Sequence, residues 1–175
     1  MHNILLRPAV QSDLDCLWHF LAIAAYEPDV EAAKATPIVA LHLLGWQRTC
    51  DFGVIAEENG APIGAAWARQ FSRHEEPAFF VDDQTPEVSI GVQHGHRGRG
   101  VGASLMDALC ADAKRRGVGL CLNVRDSNPA IRIYEKAGFR RIPGAEIKNR
   151  VGGYSLGMAW HRGSKALKAH NNGKR

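Results

Sequence analysis

The densest run of chemistry in the chain is His96-Arg97-Gly98-Arg99-Gly100-Val101-Gly102-Ala103. It follows an apolar, strand-like segment and opens a helix-like one. Free N–H groups at a helix N-terminus bind anions, and the helix dipole adds to the attraction. Glycines let the backbone approach a phosphate with no Cβ in the way, and the guanidinium forks of Arg97 and Arg99 match phosphate oxygens. The run therefore reads as a pyrophosphate cradle. Gly95 and Gly100 have P-loop spacing, but Val101 stands where that loop needs lysine, which excludes it. Gly98-x-Gly100-x-x-Ala103 does satisfy the dinucleotide fingerprint, and Asp126 lies beyond the next strand as the acid. A nucleotide-dependent oxidoreductase is therefore a rival reading. Against it, the motif sits mid-chain, and too little chain follows for a doubly wound sheet plus a catalytic domain.

His94 and His96 flank Gly95 with no carboxylate or Cys at ligand spacing. They read as solvated basic residues near phosphates, and no metal is expected. Cys16, Cys50, Cys110 and Cys121 are scattered through apolar segments without a C-x-x-C pair. Such thiols act as small hydrophobes, which fits a reducing, cytoplasmic compartment. The first residues lack the basic, apolar, small-residue order of a secretory signal, and no run of about 18 apolar residues is present to span a membrane.

The elements that must carry the cradle follow from periodicity. Ile4–Leu6 predicts a strand, and Ser12 or Asp13 caps a helix through Leu14, Leu17, Trp18 and Leu21. Glu27-Pro28-Asp29 ends that helix, and a second is predicted from Thr36-Pro37 through Val39, Leu43, Leu44 and Trp46. Phe52–Ala56 and Ile63–Phe71 form a hairpin across Asn59-Gly60. Ser72–Pro86 is a long loop, of a kind that is often functional, before a strand at Glu87–Gln93. A helix over Val101 to Arg116 ends at Gly117, and Leu120–Val124 is a buried-type strand. Asn128-Pro129 opens a helix through Ile131, Tyr134 and Ala137 to Gly138. Phe139–Ile142 and Tyr154–Trp160 close the pattern. Strands both in runs and alternating with helices predict one α/β domain over residues 1–162, a mixed sheet with helices on both faces. The four tryptophans read as core, although Trp46 and the Phe71–Phe80 region are open to an acceptor-pocket reading.

The net charge of +4 is carried entirely by residues 163–175, which hold Lys165, Lys168, Lys174 and Arg175 and no acid. That basic tail reads as disordered, and no nucleic-acid surface is expected on the neutral body. The body itself is divided. Residues 1–91 carry 5 basic and 13 acidic residues, and residues 92–162 carry 13 basic and 5 acidic. Two partners of opposite sign, or simply differently charged solvated faces, fit this division.

Arg97-x-x-Gly100-x-Gly102 resembles the acyl-CoA loop of the GNAT superfamily of N-acetyltransferases. Ile4-Leu5-Leu6-Arg7-Pro8-Ala9 with Asp13, Pro86-Glu87-Val88-Ser89-Ile90-Gly91-Val92, and Asn128-Pro129-Ala130 leading to Tyr134-Glu135-Lys136-Ala137-Gly138-Phe139 resemble its other segments in order. The resemblance implies a mostly antiparallel sheet splayed between its two central strands. It implies acetyl-CoA as cosubstrate and direct transfer to a primary amine of a small molecule or peptide in a ternary complex. Arg97 to Ala103 (Arg97, Gly98, Arg99, Gly100, Val101, Gly102, Ala103) would take the pyrophosphate. The backbone of Ile90, Gly91 and Val92 would pair with the pantetheine arm, with Gly91 suited to a bulge that splays the edge. Asn128 would bond the arm, or simply cap its helix. Glu87 is implied as the base for the amine, or else is a plain strand-start residue, with Asp82 and Asp83 as fallbacks. The N–H of Val92 is implied as an oxyanion donor. Tyr134 is implied as the acid for the leaving thiolate, or else is a core aromatic on the stripe of Ile131. A catalytically silent CoA-binding domain would show the same cradle. The acidic half suits a cationic amine through steering, and a homodimer is left open.

Overall fold

The computed structural model describes residues 4–163. Seven strands form one sheet, in the order β1-β2-β3-β4-β5-β7-β6. They are β1 (Ile4–Pro8), β2 (Phe52–Glu58), β3 (Ala61–Arg69), β4 (Glu87–Val92), β5 (Leu120–Arg125), β6 (Arg140–Lys148) and β7 (Tyr154–Trp160). Every neighbouring pair is antiparallel except β4 and β5. Those two are parallel and meet in register only at Glu87 and Cys121. Beyond that point they part, so the sheet is splayed at its centre.

Helices cover both faces. On one side lie α1 (Leu14–Ala25), α2 (Val30–Ala35) and α3 (Pro37–Ala40). Leu17, Phe20 and Leu43 pack there on Ile55, Ala65 and Trp67. On the other side lie α4 (Val101–Arg116) and α5 (Ile131–Ala137). Leu105, Leu109 and Phe139 pack there with Ala66, Leu120 and Leu122. Alternation along each strand sends its two side-chain sets to these two cores.

Local signals placed most boundaries. Asn59 and Gly60 both adopt positive φ, 55° and 78°, the requirement of a two-residue turn between twisted strands. Gly117 closes α4 at φ 73°, with its N–H on the carbonyls of Ala113 and Lys114.

The region after α1 departs from expectation. Glu27-Pro28-Asp29 does end α1, but Asp29 also starts α2 by accepting the N–H of Ala32 at 2.8 Å. The helix predicted through Trp46 stops at Ala40 and continues as turns. Arg69 explains why. It is wholly buried at the end of β3 and donates to the carbonyls of Leu41 and Leu44 and to Asp51. Those carbonyls serve a tertiary partner, so the helix does not propagate. All four tryptophans are buried, Trp46 included. The basic tail lies outside the described residues, apart from Gly163.

Candidate active site

The gap between β4 and β5 opens a cleft of about 910 Å³. Its walls bring together Glu87, Ile90, Gly91, Val92, Arg97, Gly98, Gly100 to Ala103, Asn128 and Tyr134. Segments far apart in the chain converge because both parallel strands point their C-terminal ends at it, where open α/β sheets place ligands.

At one end lies the glycine loop. Gly98 and Gly100 adopt φ of 74° and 83°, and a Cβ built on either would meet no atom within 4 Å. The first bond of α4 runs from the N–H of Ser104 to the carbonyl of Gly100. The N–H groups of Val101, Gly102 and Ala103 therefore have no partner within their own helix. This is an open set of donors, and its chemistry fits a diphosphate. Arg97 stands beside it, with Nε 3.3 Å from the carbonyl of Val92. Arg99 does not form part of the cleft wall. Its guanidinium is paired with Glu58, which also meets Nε2 of His96 at 3.2 Å. Among the described residues no group of three or more His, Cys, Asp or Glu is placed to hold a metal.

Along β4 the backbone itself presents polar groups to the gap. The N–H of Gln93 donates to the carbonyl of Ile63 at 3.0 Å, and Val92 faces Gly64 in register. Antiparallel pairs alternate, so Ile90 and Val92 direct their N–H and carbonyl groups away from β3, into the gap. They suit an extended amide-bearing chain added as a strand. Gly91 pairs with Ala65 on the β3 side in unbroken register, so the expected bulge is absent. Its lack of a side chain serves another purpose. A Cβ there would sit 2.3 Å from the carbonyl oxygen of Phe20 in α1.

Glu87 faces the α1–α3 side and is 3% exposed. Its Oε1 accepts a 2.6 Å hydrogen bond from Nδ2 of Asn123 on β5. Its Oε2 has no partner among the described residues. Burial pushes this carboxyl up to about 8, against a small downward pull from Asn123. Two residues along β4, Oγ of Ser89 lies 3.1 Å from Nδ1 of His42. Burial, aided by the charge of Arg69, lowers His42 to about 4, so its ring is neutral. Asp82 and Asp83 are exposed and outside the cleft wall. Trp46 is likewise outside it, and of the segment from Phe71 to Phe80 only Ala78 reaches the wall.

Tyr134 belongs to the opposite core, with its ring tilted against Phe139 at 6.2 Å. Burial raises its hydroxyl above the ordinary tyrosine range. Glu87 and Tyr134 thus reach one cleft from opposite faces of the sheet, through the gap. Asn128 closes a turn just ahead of α5, with Oδ1 accepting from the N–H of Ala130 at 2.9 Å, while the helix itself starts after Ala130 with no side-chain cap. Its Nδ2 donates to the hydroxyl of Tyr26 at 3.0 Å.

A family model described as the acetyltransferase (GNAT) family matches residues 18–139 of this chain. The chain belongs to that family. No curated protein matches it at the level of sequence. Its fold is shared with the ribosomal-protein-S18-alanine N-acetyltransferase of Escherichia coli, with TM-score 0.65 and 21% identity, covering 97% of this chain and 98% of that one. An N-acetyltransferase of Staphylococcus aureus Mu50 aligns with TM-score 0.65 and 23% identity over 95% and 99% of the two chains. The protein yncA of Salmonella typhimurium, solved with its cofactor acetyl-CoA, aligns with TM-score 0.67 and 20% identity over 96% and 99%. At these identities the likeness establishes the GNAT fold and leaves the substrate open.

Sequence reasoning passed over Asn123, Ser89, His42, Tyr26 and Arg125 in this GNAT cleft. Asn123 carried a faint signal, as a polar residue inside the apolar run of β5. His42 carried none, because the loop that presents it is held by Arg69 from another strand.

Proposed function

We propose that this GNAT protein transfers an acetyl group from acetyl-CoA to a primary amine by direct attack in a ternary complex. The observation that supports this most is the opposed pair, a buried carboxyl with an unpartnered oxygen and a buried phenol, on the two sides of one slot.

Acetyl-CoA, when bound, supplies an activated thioester carbonyl. The amides of Val101 to Ala103, opened by Gly98 and Gly100 and flanked by Arg97, hold its diphosphate. Ile90 and Val92 pair with its arm, and the N–H of Val92 is a donor for the developing oxyanion. Asn128 serves first to close the turn before α5, and its contribution to the arm comes through position. Arg99 acts by fixing the cradle to Glu58.

An ammonium has no lone pair, so the acceptor must lose a proton before attack. Glu87 takes that proton at Oε2, directly or through one water, while Asn123 holds Oε1 and fixes the plane of the carboxyl. A carboxyl titrating near 8 is matched to an amine far better than an exposed one titrating near 4. Tyr134, on the other face, gives its proton to the departing thiolate. Base and acid on opposite sides suit a reaction in which the nucleophile enters from one side and the leaving group departs to the other.

The test is a panel of amines with acetyl-CoA and a free-thiol readout, run on the wild type and on Glu87→Gln. Turnover that falls in the variant with CoA affinity intact supports the reading. Binding of CoA with no turnover of any amine overturns it in favour of a CoA-binding domain.

A further inference from the structure

The charge of the cleft does not follow the charge of the sequence. Of the 13 carboxylates in residues 1–91, Glu87 alone lines it. Others are paired with basic partners away from this wall, as Asp13 is with Arg7, Asp51 with Arg69 and Glu75 with Arg48. Burial raises the carboxyl of Glu87 to about 8, so it adds less negative charge to the cleft than an exposed carboxylate would. The cationic side chains of the wall are Arg97, Arg125, Lys148 and Arg150. Arg97 belongs to the cradle, and Arg150 is neutralised by Glu27 at 2.7 Å. Arg125 and Lys148 have no carboxylate partner among the described residues.

Arg125 is the better built of the two. It lies on β5 two residues beyond Asn123, so both side chains leave the same face about 7 Å apart. Its guanidinium lies over the ring of Tyr26, 4.0 Å from the ring centre. Tyr26 is in turn fixed through its hydroxyl by Asn128, and Asn128 by the N–H of Ala130. A guanidinium held against a ring face keeps N–H groups for a ligand, and its fork suits a carboxylate. Asn123, bonded to Glu87, is thus one side-chain step along β5 from Arg125, so a molecule with its amine at the Glu87 carboxyl would turn its own carboxylate towards Arg125.

We propose that the acceptor is a small amine bearing a carboxylate close to the amino group, an amino acid or close analogue, and that Arg125 is the specificity-determining cation. This rests on the transferase reading above. A polyamine would meet a wall of like charge there, and the terminal carboxylate of a long peptide would lie out of reach.

The experiment offers wild-type protein acetyl-CoA with L-amino acids, each beside its carboxamide, together with spermidine and a tetrapeptide amide, and reads free thiol. Calorimetry on CoA-loaded protein measures binding of N-acetyl amino acids and their amides in parallel. The expected result is at least one amino acid preferred over its carboxamide by about tenfold to a hundredfold in kcat/KM, the usual worth of a charge-assisted pair. Arg125→Gln should bring that ratio towards one through KM, with the Kd of CoA unmoved, and Arg125→Lys should keep part of it. Equal use of carboxamides, or preference for spermidine or the tetrapeptide amide, overturns the inference and leaves the transferase reading standing. Weaker CoA binding in Arg125→Gln also overturns it, by assigning the arginine to the cofactor. No turnover with carboxylate-dependent binding retained sinks the transferase reading alone and supports the anion site.

Discussion

Glu87 and Asn123 are joined by a 2.6 Å hydrogen bond across the point where β4 and β5 part, 36 residues apart in the chain. One carboxyl oxygen is thereby held and the other is buried with no partner among the described residues. Glu87→Gln preserves the shape and the bond acceptor but removes the base. Turnover should fall about a hundredfold to ten-thousandfold, with CoA affinity retained, as steady-state rates and calorimetry would check.

The same group sets the pH profile. Glu87 has to be ionised to accept a proton, so kcat/KM should climb with pH and level off above about 8. The bond from Asn123 favours the ionised form. Asn123→Leu removes that bond and should move the rise to higher pH. A profile that stays put in Asn123→Leu would show that another group controls it.

Glu87 also carries a stability cost of defined sign. Its folded value is raised from 4.5 to about 8, so the folded state holds this proton more tightly than the unfolded chain does. Stability contributed by the protonated group is full below about 4.5 and is lost as pH rises to about 8. Glu87→Gln carries no such loss. Its denaturation midpoint relative to wild type should therefore rise across that window and flatten above it.

Tyr134→Phe tests the opposite side of the slot. The ring packs on Phe139 and stays buried in the variant. Stability should change by less than about 1 kcal/mol, since the hydroxyl has no bond to the described residues to lose. Turnover should fall about a hundredfold. Full activity across pH in this variant would remove the acid role.

Two glycine substitutions separate the cradle from the scaffold. Gly100→Ala places a side chain at φ 83° in open space. It should cost about 1–2 kcal/mol of backbone strain and weaken CoA binding by intruding on the cradle. Gly91→Ala would drive a Cβ against the carbonyl of Phe20. It should destabilise the fold by about 1–3 kcal/mol through displacement of α1. Gly95, with open space and no positive φ, is the neutral control.

What the sequence by itself determined is what depends on neighbours in the chain. The positive-φ turn at Gly98 and Gly100, the span of α4 and its stop at Gly117, the Asn59-Gly60 hairpin and the turn at Asn128 all rest on turn chemistry and helix ends. Such features are written within a few residues of where they act. The alternation of strands and helices was enough for the mixed sheet, and the ordered motifs were enough for the family resemblance. The bulge at Gly91 and the helix through Trp46 failed for one shared reason. Each depends on a distant partner, the continuous pairing with β3 in one case and the side chain of Arg69 in the other.

Only the tertiary structure decided the electrostatics of the site. The pairing of Glu87 with Asn123, its unpartnered second oxygen, the neutrality of His42 and the stacking of Arg125 on Tyr26 all follow from sheet order and burial. Sequence counts could state that residues 1–91 are acidic. They could not state that the ion-paired acids face other walls, because the direction of a side chain is set by register across strands and by desolvation within the fold.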